Sequence, residues 1–465
     1  AMRSKLRGRR VNFSDTSNPA DIITLVTSWS WRSWDMWLQM DGASPYKYID
    51  MLIGIDDTDS PAGMCTTYLG AVLARRLIRE HMRVREARLV RLNPNVTFKT
   101  RGNAAICLDA DGDPKKGFEL ACEIVEELAD FSCEKTNPGV VVAERRFDPA
   151  FYKKAVTDFC EIEEAVAVLD AAGARYRGWK NRRGLVGATA AVASVLPDKT
   201  YEILAYREPS RWGTQREADK ESLFACEEAT FPHTWDTVDF ANRVVVCVPH
   251  TPDPVLFGIR GESPAWVMTA RSLILSEKPA LEQIWVTNQG TDAHLLAGKC
   301  GKLKEGLSYI VRGTVDGRPA TGEGGHVSFA IRDGDATTRC MAYEPTKNFR
   351  EIVRALVPGD EVIVAGSYKK GSINLEKLCL VTPARDTEVK APVCAACGKR
   401  MTSDGKGKGY KCRKCGAHSC EPEVHVVPRT LKAGWYEVPP TARRHLAKPL
   451  CRGAPDLRGR PDPGP

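Results

Sequence analysis

The chain has 465 residues, of which 43% are hydrophobic and 27% charged, and carries a net charge of +8. That length exceeds one ordinary core, which stops growing near ~250–300 residues, so several domains are expected. The composition is that of a soluble globular protein, no run approaches the ~18 apolar residues of a membrane-spanning helix, and the basic balance suits a polyanionic partner.

The first fifty residues stand apart. Their start, AMRSKLRGRR and then ADIITLVTSW, faintly resembles a secretory signal. Its apolar stretch is short, Asp21 precedes it closely, and no small-residue cleavage site follows; the chain is expected in the cytoplasm. Trp29, Trp31, Trp34 and Trp37 fall within nine residues, and the last three share a helical face before Gly42, Ser44 and Pro45 break the pattern. A stacking or membrane-surface helix and an appendage outside the fold both account for them. Residues 1–50 are read as the appendage, disordered or non-native.

From Met51 the pattern is orderly. MLIGI reads as a short buried strand and DDTDSPAGM as a polar loop. CTTYLGAVLARRLIREH reads as a helix, with Leu69, Val72, Leu73, Leu77 and Ile78 at helical spacing. Strands and helices alternate to about residue 170. GATAAVASVL then reads as a helix, with YEILAY and RVVVCV (243–248) as strands. This is an α/β or α+β region of two domains. Residues 307–381 change character, to five short strands with the helix NFREIVRAL between the third and fourth. That is the layout of an OB barrel, with another small β-barrel as the alternative.

Sixteen cysteines occur, and four of them form Cys394-x-x-Cys397 and Cys412-x-x-Cys415, fourteen residues apart. Four thiolates in two knuckles close a tetrahedron around a structural Zn²⁺, and Gly398 and Gly416 follow where each knuckle turns. Most of the others, such as Cys107, Cys122, Cys133 and Cys247, lie singly in apolar runs and read as reduced core residues. The ribbon is basic: Lys399, Arg400, Lys406, Lys408, Lys411, Arg413 and Lys414 are opposed within it by Asp404. Beside an OB-like barrel, that points to a nucleic-acid backbone track; a solvated charged turn is the alternative.

Asp56-Asp57-Thr58-Asp59-Ser60 places three carboxylates between a strand end and a helix start. Such a set holds Mg²⁺ on the phosphates of ATP, and Thr66 or Thr67 caps the helix, contacts phosphate or accepts it. An acidic turn with an N-cap is the plain alternative. Lys99, Arg101 and Asn103 lie in a stretch read as extended, with both cations facing one way toward phosphate. Trp179-Lys180-Asn181-Arg182-Arg183-Gly184 is a basic loop with one aromatic, suited to base stacking and phosphate contact. No GxxxxGK[ST], GxGxxG or HxE…PCxxC motif occurs, so ATP chemistry here needs a less usual fold.

Ile53 to Pro61 (IGIDDTDSP), followed by Gly63-Met64-Cys65-Thr66-Thr67-Tyr68-Leu69, resembles the opening of the archaeal tRNA 2-agmatinylcytidine synthetases. The similarity continues through Lys99 to Asn103, Asn137-Pro138-Gly139, Asn181 to Leu185, Pro249-His250-Thr251, Val255 to Gly261 and the ribbon, and reaches Tyr436 to Pro440 and Ala442 to His445. It implies an ATP-dependent kinase-like domain (51–180), a ferredoxin-like domain (181–300), an OB fold (305–385), a zinc ribbon (390–420) and a basic tail (421–465). It implies that agmatine is joined to C2 of cytidine 34 in the isoleucine tRNA with a CAU anticodon, so that AUA is decoded. ATP is consumed to AMP, and the cytidine is phosphorylated before the amine enters. Asp56, Asp57, Asp59 and Thr66 match the family's catalytic aspartates and autophosphorylated threonine. Thr67, Lys99, Arg101 and Asn103 are expected at phosphate. Arg182, Arg183, Lys399, Arg400, Lys411, Arg413 and Lys414 are expected on RNA. A non-catalytic nucleic-acid-binding protein, or another ATP-dependent RNA kinase or ligase, remains the alternative. No obligate protein partner or membrane is expected.

Overall fold

The computed structural model describes residues 49–99 and 102–455. The tryptophan cluster and nearly all of the expected extension lie outside them, although the first strand starts at Ile49, two residues before Met51.

The first half contains β1 (Ile49–Asp56), α1 (Thr66–Arg79), β2 (Arg83–Arg91), β3 (Ala104–Gly112), α2 (Pro114–Leu128), β4 (Gly139–Ala143), α3 (Pro149–Thr157), α4 (Ile162–Ala172), β5 (Arg175–Gly178) and α5 (Gly184–Ala193). The second contains β6 (Thr200–Tyr206), α6 (Lys220–Thr230), β7 (Thr234–Trp235), β8 (Val238–Asp239), β9 (Val244–Val245), β10 (Val255–Gly261), α7 (Pro264–Leu273) and β11 (Leu281–Thr287). Both halves share one nine-stranded sheet, ordered β5-β4-β1-β3-β2-β11-β6-β10-β7. The halves join where β11 runs parallel to β2, pairing Val286 with Arg88 and Thr287 with Leu89.

β1 is central, so its run is apolar on both faces. Met51, Ile53 and Ile55 pack with Leu69, Leu73 and Leu77 of α1 and Leu120 and Ile124 of α2. Leu52 faces the other way, toward Leu185, Ala188 and Val192 of α5. At Gly54 the helix comes so close that a β-carbon would lie 2.3 Å from the Ala188 carbonyl oxygen. Three helix starts follow one rule: Asp113, Asp148 and Ser263 accept a backbone N–H of the first turn, each followed by a proline that has no N–H to satisfy.

β12 (Leu295–Ala297) leads into the barrel strands β13 (Ser308–Val315), β15 (Val327–Asp333), β16 (Ala336–Ala342), β17 (Glu361–Lys369) and β18 (Ser372–Thr382), with the two-residue β14 (Ala320–Thr321) beside β15 and α8 (Phe349–Arg354) after β16. The order β13-β17-β18-β16-β15 closes through a β13–β15 pairing, giving a five-strand barrel. Its interior is filled by Val311, Phe329, Ile331, Val362, Val364 and Leu378 among others.

Three expectations need correction. RVVVCV forms only the two-residue β9, because the Val246 and Cys247 N–H groups both turn to the Thr237 carbonyl. Val96–Lys99 is irregular, not extended; Pro94 lacks a ladder donor, and the Asn93 side chain accepts the Asn95 N–H in a turn. The described part of the stretch expected as a tail, 421–455, is packed on the fold. After Glu423–Val426 pairs with Thr387–Lys390, Gly434–Glu437 pairs with β18, and described chain continues packed to Pro455. Among the described residues no helix is long and apolar enough to cross a membrane.

Candidate active site and zinc ribbon

The end of β1, the start of α1 and the start of α5 converge on one cavity. Asp56, Asp57, Asp59, Thr66, Phe98, Lys99, Asn103, Arg183 and Gly187 line it. Asp56 lies against α5, where a β-carbon on Gly187 would sit 1.8 Å from its Oδ2. Burial first, and then the Asp57 carboxylate, push the Asp56 carboxyl well above the usual range. Asp57 takes a left-handed backbone with φ 59°, rare for a residue with a side chain. Its strain is held by the Asn137 N–H on its carbonyl at 3.1 Å and by Arg183, 2.7 Å from Oδ2. Burial raises its carboxyl to about 6 against the opposing pull of Arg183. Arg183 also lies 4.9 Å over the Phe98 ring.

Thr66 opens α1 and is buried. Its N–H and hydroxyl both donate to Asp59 Oδ1, at 2.7 and 2.9 Å, while the Thr58 hydroxyl donates to it at 3.0 Å. Asp59 thus supplies the cap that Cys65 does not. A hydroxyl already donating to a carboxylate is poised to lose its proton to that carboxylate.

Lys99 reaches the Pro94 carbonyl, and burial, then Arg444 and Lys369, lower its ammonium to about 8. Asn103 donates to the Asn93 carbonyl at 3.0 Å. Arg101 lies outside the described residues. Thr67 does not line the cavity: its hydroxyl pairs with Cys65 Sγ at 2.9 Å and bonds Tyr206 of the second half. Arg183, expected on RNA, sits inside this cavity, whereas its neighbour Arg182 is exposed. Sequence reasoning missed Asp158 and Glu161, which also line the cavity from the turn between α3 and α4. No local motif marks them; only the fold brings that turn to the aspartates.

Three carboxylates beside a hydroxyl are hard oxygen donors of the type Mg²⁺ takes, although among the described residues only the four ribbon cysteines bring a set of metal-ligating atoms within 4.8 Å of one another.

In the ribbon the four sulfurs of Cys394, Cys397, Cys412 and Cys415 all lie within 4.8 Å of one another. Cys394–Cys415 and Cys397–Cys412 are 3.4 and 3.5 Å apart, too long for a disulfide and close to the edge of a zinc–thiolate tetrahedron. Gly398 and Gly416 take φ 67° and 77° as each knuckle turns back. Backbone N–H groups of Cys415 and Lys414 lower the Cys412 thiol to about 6, favouring the metal-binding thiolate. Lys399, Arg400, Lys411, Arg413 and Lys414 are all exposed, with Arg400 paired to Glu423 at 3.2 Å.

A cavity of carboxylates and cations on a mixed sheet, carried with a closed barrel and a basic ribbon, defines a multidomain RNA-modifying enzyme. Family models described as the TiaS TCKD domain match residues 52–118 and 108–180, the TiaS FLD domain 182–294, and the TiaS C-terminal zinc ribbon domain 391–431. The isoleucine-tRNA 2-agmatinylcytidine synthetase TiaS of Methanocorpusculum labreanum is 55% identical over 417 residues, 89% of this chain and 99% of the relative. A complex of TiaS with its isoleucine tRNA and ATP superposes with TM-score 0.81 at 41% identity, covering 89% of this chain and 99% of that one. A complex of TiaS with the same tRNA, AMPCPP and agmatine gives 0.79 at 40%, with the same coverage. The chain belongs to the TiaS family of isoleucine-tRNA 2-agmatinylcytidine synthetases.

Proposed function

We propose that the cavity at Asp56, Asp57 and Asp59 is where this isoleucine-tRNA agmatidine synthetase uses ATP to activate C2 of cytidine 34 for attack by agmatine. The observation that carries this reading is the Thr58-to-Thr66-to-Asp59 hydrogen-bond chain in a cavity that also holds Lys99. The C2 oxygen of cytosine is a poor leaving group. Transfer of one phosphoryl group from ATP to that oxygen makes it a good one, and water cleaves the remaining bond between the β- and α-phosphates, so that the nucleotide leaves as AMP. The primary amine of agmatine then bonds to C2, and the oxygen departs with its phosphate as inorganic phosphate.

Asp56, Asp57 and Asp59 would hold Mg²⁺, which supplies charge neutralisation on the phosphates. Asp59 accepts the proton of Thr66, making that hydroxyl the candidate phosphoacceptor. Lys99 and Arg183 supply positive charge, and Asn103 fixes the loop beside them. Asp158 and Glu161 are carboxylates available to the dicationic amine. Residues 51–180 are read as kinase-like, 181–300 as ferredoxin-like and the barrel as an OB fold (305–385), with the ribbon at 390–420. Arg182, Lys399, Arg400, Lys411, Arg413 and Lys414 are read as backbone contacts to the tRNA.

Asp57→Ala tests the site. Incorporation of labelled agmatine into the isoleucine tRNA and AMP release should both fall at least ~10²-fold, because the interaction matters most in the transition state. tRNA affinity should stay within about twofold, since the backbone contacts lie elsewhere. Near-normal incorporation would remove phosphoryl transfer from this cavity.

A further inference from the structure

We propose that Arg444, in the segment that returns after the zinc ribbon, is a positioning residue that pins the root of the cavity loop, Asn93–Lys99, to the barrel. The inference rests on the reading of that cavity as the ATP site. Arg444 is remote in sequence from every other residue involved, yet its Nη1 donates to Asn95 Oδ1 at 2.9 Å and also to the Ser367 hydroxyl of β17. Its Nε lies 3.6 Å from Glu376 Oε1 of β18. The acceptors are themselves tied together and buried: Asn95 donates to the Ser308 hydroxyl at 3.0 Å, and the Ser308 and Ser367 hydroxyls are 3.0 Å apart. One guanidinium therefore bridges the first half of the great sheet and two strands of the barrel.

What it holds is the base of a cavity wall. Asn93 donates to the Gly306 and Asp158 carbonyls, each at 3.3 Å, and its own carbonyl receives Asn103. Between these fixed ends Val96, Phe98 and Lys99 line the cavity, and Lys99 is anchored on the Pro94 carbonyl. The next residue, His445, lies beside another cavity-lining position, Gly102, where a β-carbon would sit 3.5 Å from its ring. The nearby cations Arg91, Arg260 and Lys99, together with burial, keep His445 neutral, so it packs there without adding charge. In this network Arg444 hydrogen-bonds no cavity-lining side chain; it acts through the loop it holds and through its charge, which lowers the Lys99 ammonium, and Arg444→Lys keeps that charge while changing the hold on the loop.

The test separates positioning from general stability. Arg444→Ala should lower kcat/KM for ATP about tenfold or more, measured as tRNA-dependent AMP release, with tRNA Kd within about twofold. Arg444→Lys, which keeps the charge but only one of the two bonds, should fall between. Asn95→Ala should give a similar loss, and Arg444→Ala/Asn95→Ala should be no worse than either alone, since both cut one connection. Additive losses, or a lowered Tm with kcat/KM for ATP within twofold, would overturn the inference. If Arg444→Ala does not fold, Ser367→Ala removes the β17 acceptor, together with that hydroxyl's contact to Ser308, and leaves Arg444 and Asn95 in place. It should still lower kcat/KM for ATP about threefold or more, and an unchanged value would overturn the inference equally. Asp57→Ala is assayed alongside: if it turns over normally, the ATP-site reading fails first. If it is inactive while Arg444→Ala is normal, only the positioning role is lost.

Discussion

Replacing Gly187 by alanine tests the geometry around Asp56 with one methyl group. A β-carbon there would lie 1.8 Å from Asp56 Oδ2 and 2.5 Å from its Cγ. Ordinary contact needs about 3.3 Å, so something must move by about 1.5 Å. Helix α5 has little room to move, because the same helix meets Gly54 with its Ala188 carbonyl 2.3 Å from a would-be β-carbon. The carboxylate is the part that yields. A displacement near 1 Å costs about 10²-fold in rate when a group must meet its partners in one geometry. Gly187→Ala should therefore lower kcat for agmatine incorporation about 10²-fold, with tRNA Kd unchanged. Overpacking should cost about 1–3 kcal/mol of stability, offset in part by the ~1 kcal/mol that alanine gains over glycine inside a helix. Labelled agmatine incorporation, tRNA binding and thermal unfolding measure the three effects. A variant with kcat within threefold of the parent and a raised Tm would refute the argument, because the methyl would then have found space that the packing denies it.

Two further outcomes follow from the same site and the ribbon. Lys99 is held at about 8, below the ~10.4 of an unfolded lysine. Between those values the unfolded chain binds more protons, so this group's contribution to stability rises with pH there, while its usefulness toward phosphate falls. kcat/KM for ATP should decline above about pH 8, and Lys99→Arg, which stays charged, should abolish that inflection; an unchanged profile in Lys99→Arg would assign it to another group. Cys412→Ser should release the zinc and weaken tRNA binding while leaving the great sheet folded, because a closed four-thiolate site contributes its folding energy locally. Stoichiometric zinc by elemental analysis in that variant would contradict the four-cysteine site.

Much of this protein was legible without coordinates. The run at Met51–Ile55 reads as a short buried strand, and the five barrel strands with their interposed helix announced themselves through turn residues and alternation. The two CxxC knuckles were equally local, each pair of ligands sitting within four residues of chain, and the expected Asp56–Asp59 carboxylates do line one cavity. What lay beyond reach is what depends on distant segments meeting. Val286 pairs with Arg88, merging two expected domains into one sheet. Arg183 turns inward to Asp57 because α5 starts against the end of β1, which no reading of a basic loop predicts. Asp158 and Glu161 join the cavity without any motif. The stretch read as a tail returns to bind Asn95 and Ser367 through Arg444. Periodicity and spacing encode contacts made within one element or turn. Contacts between remote elements are set by burial and hydrogen-bond satisfaction over the whole molecule, and only the tertiary structure decides them.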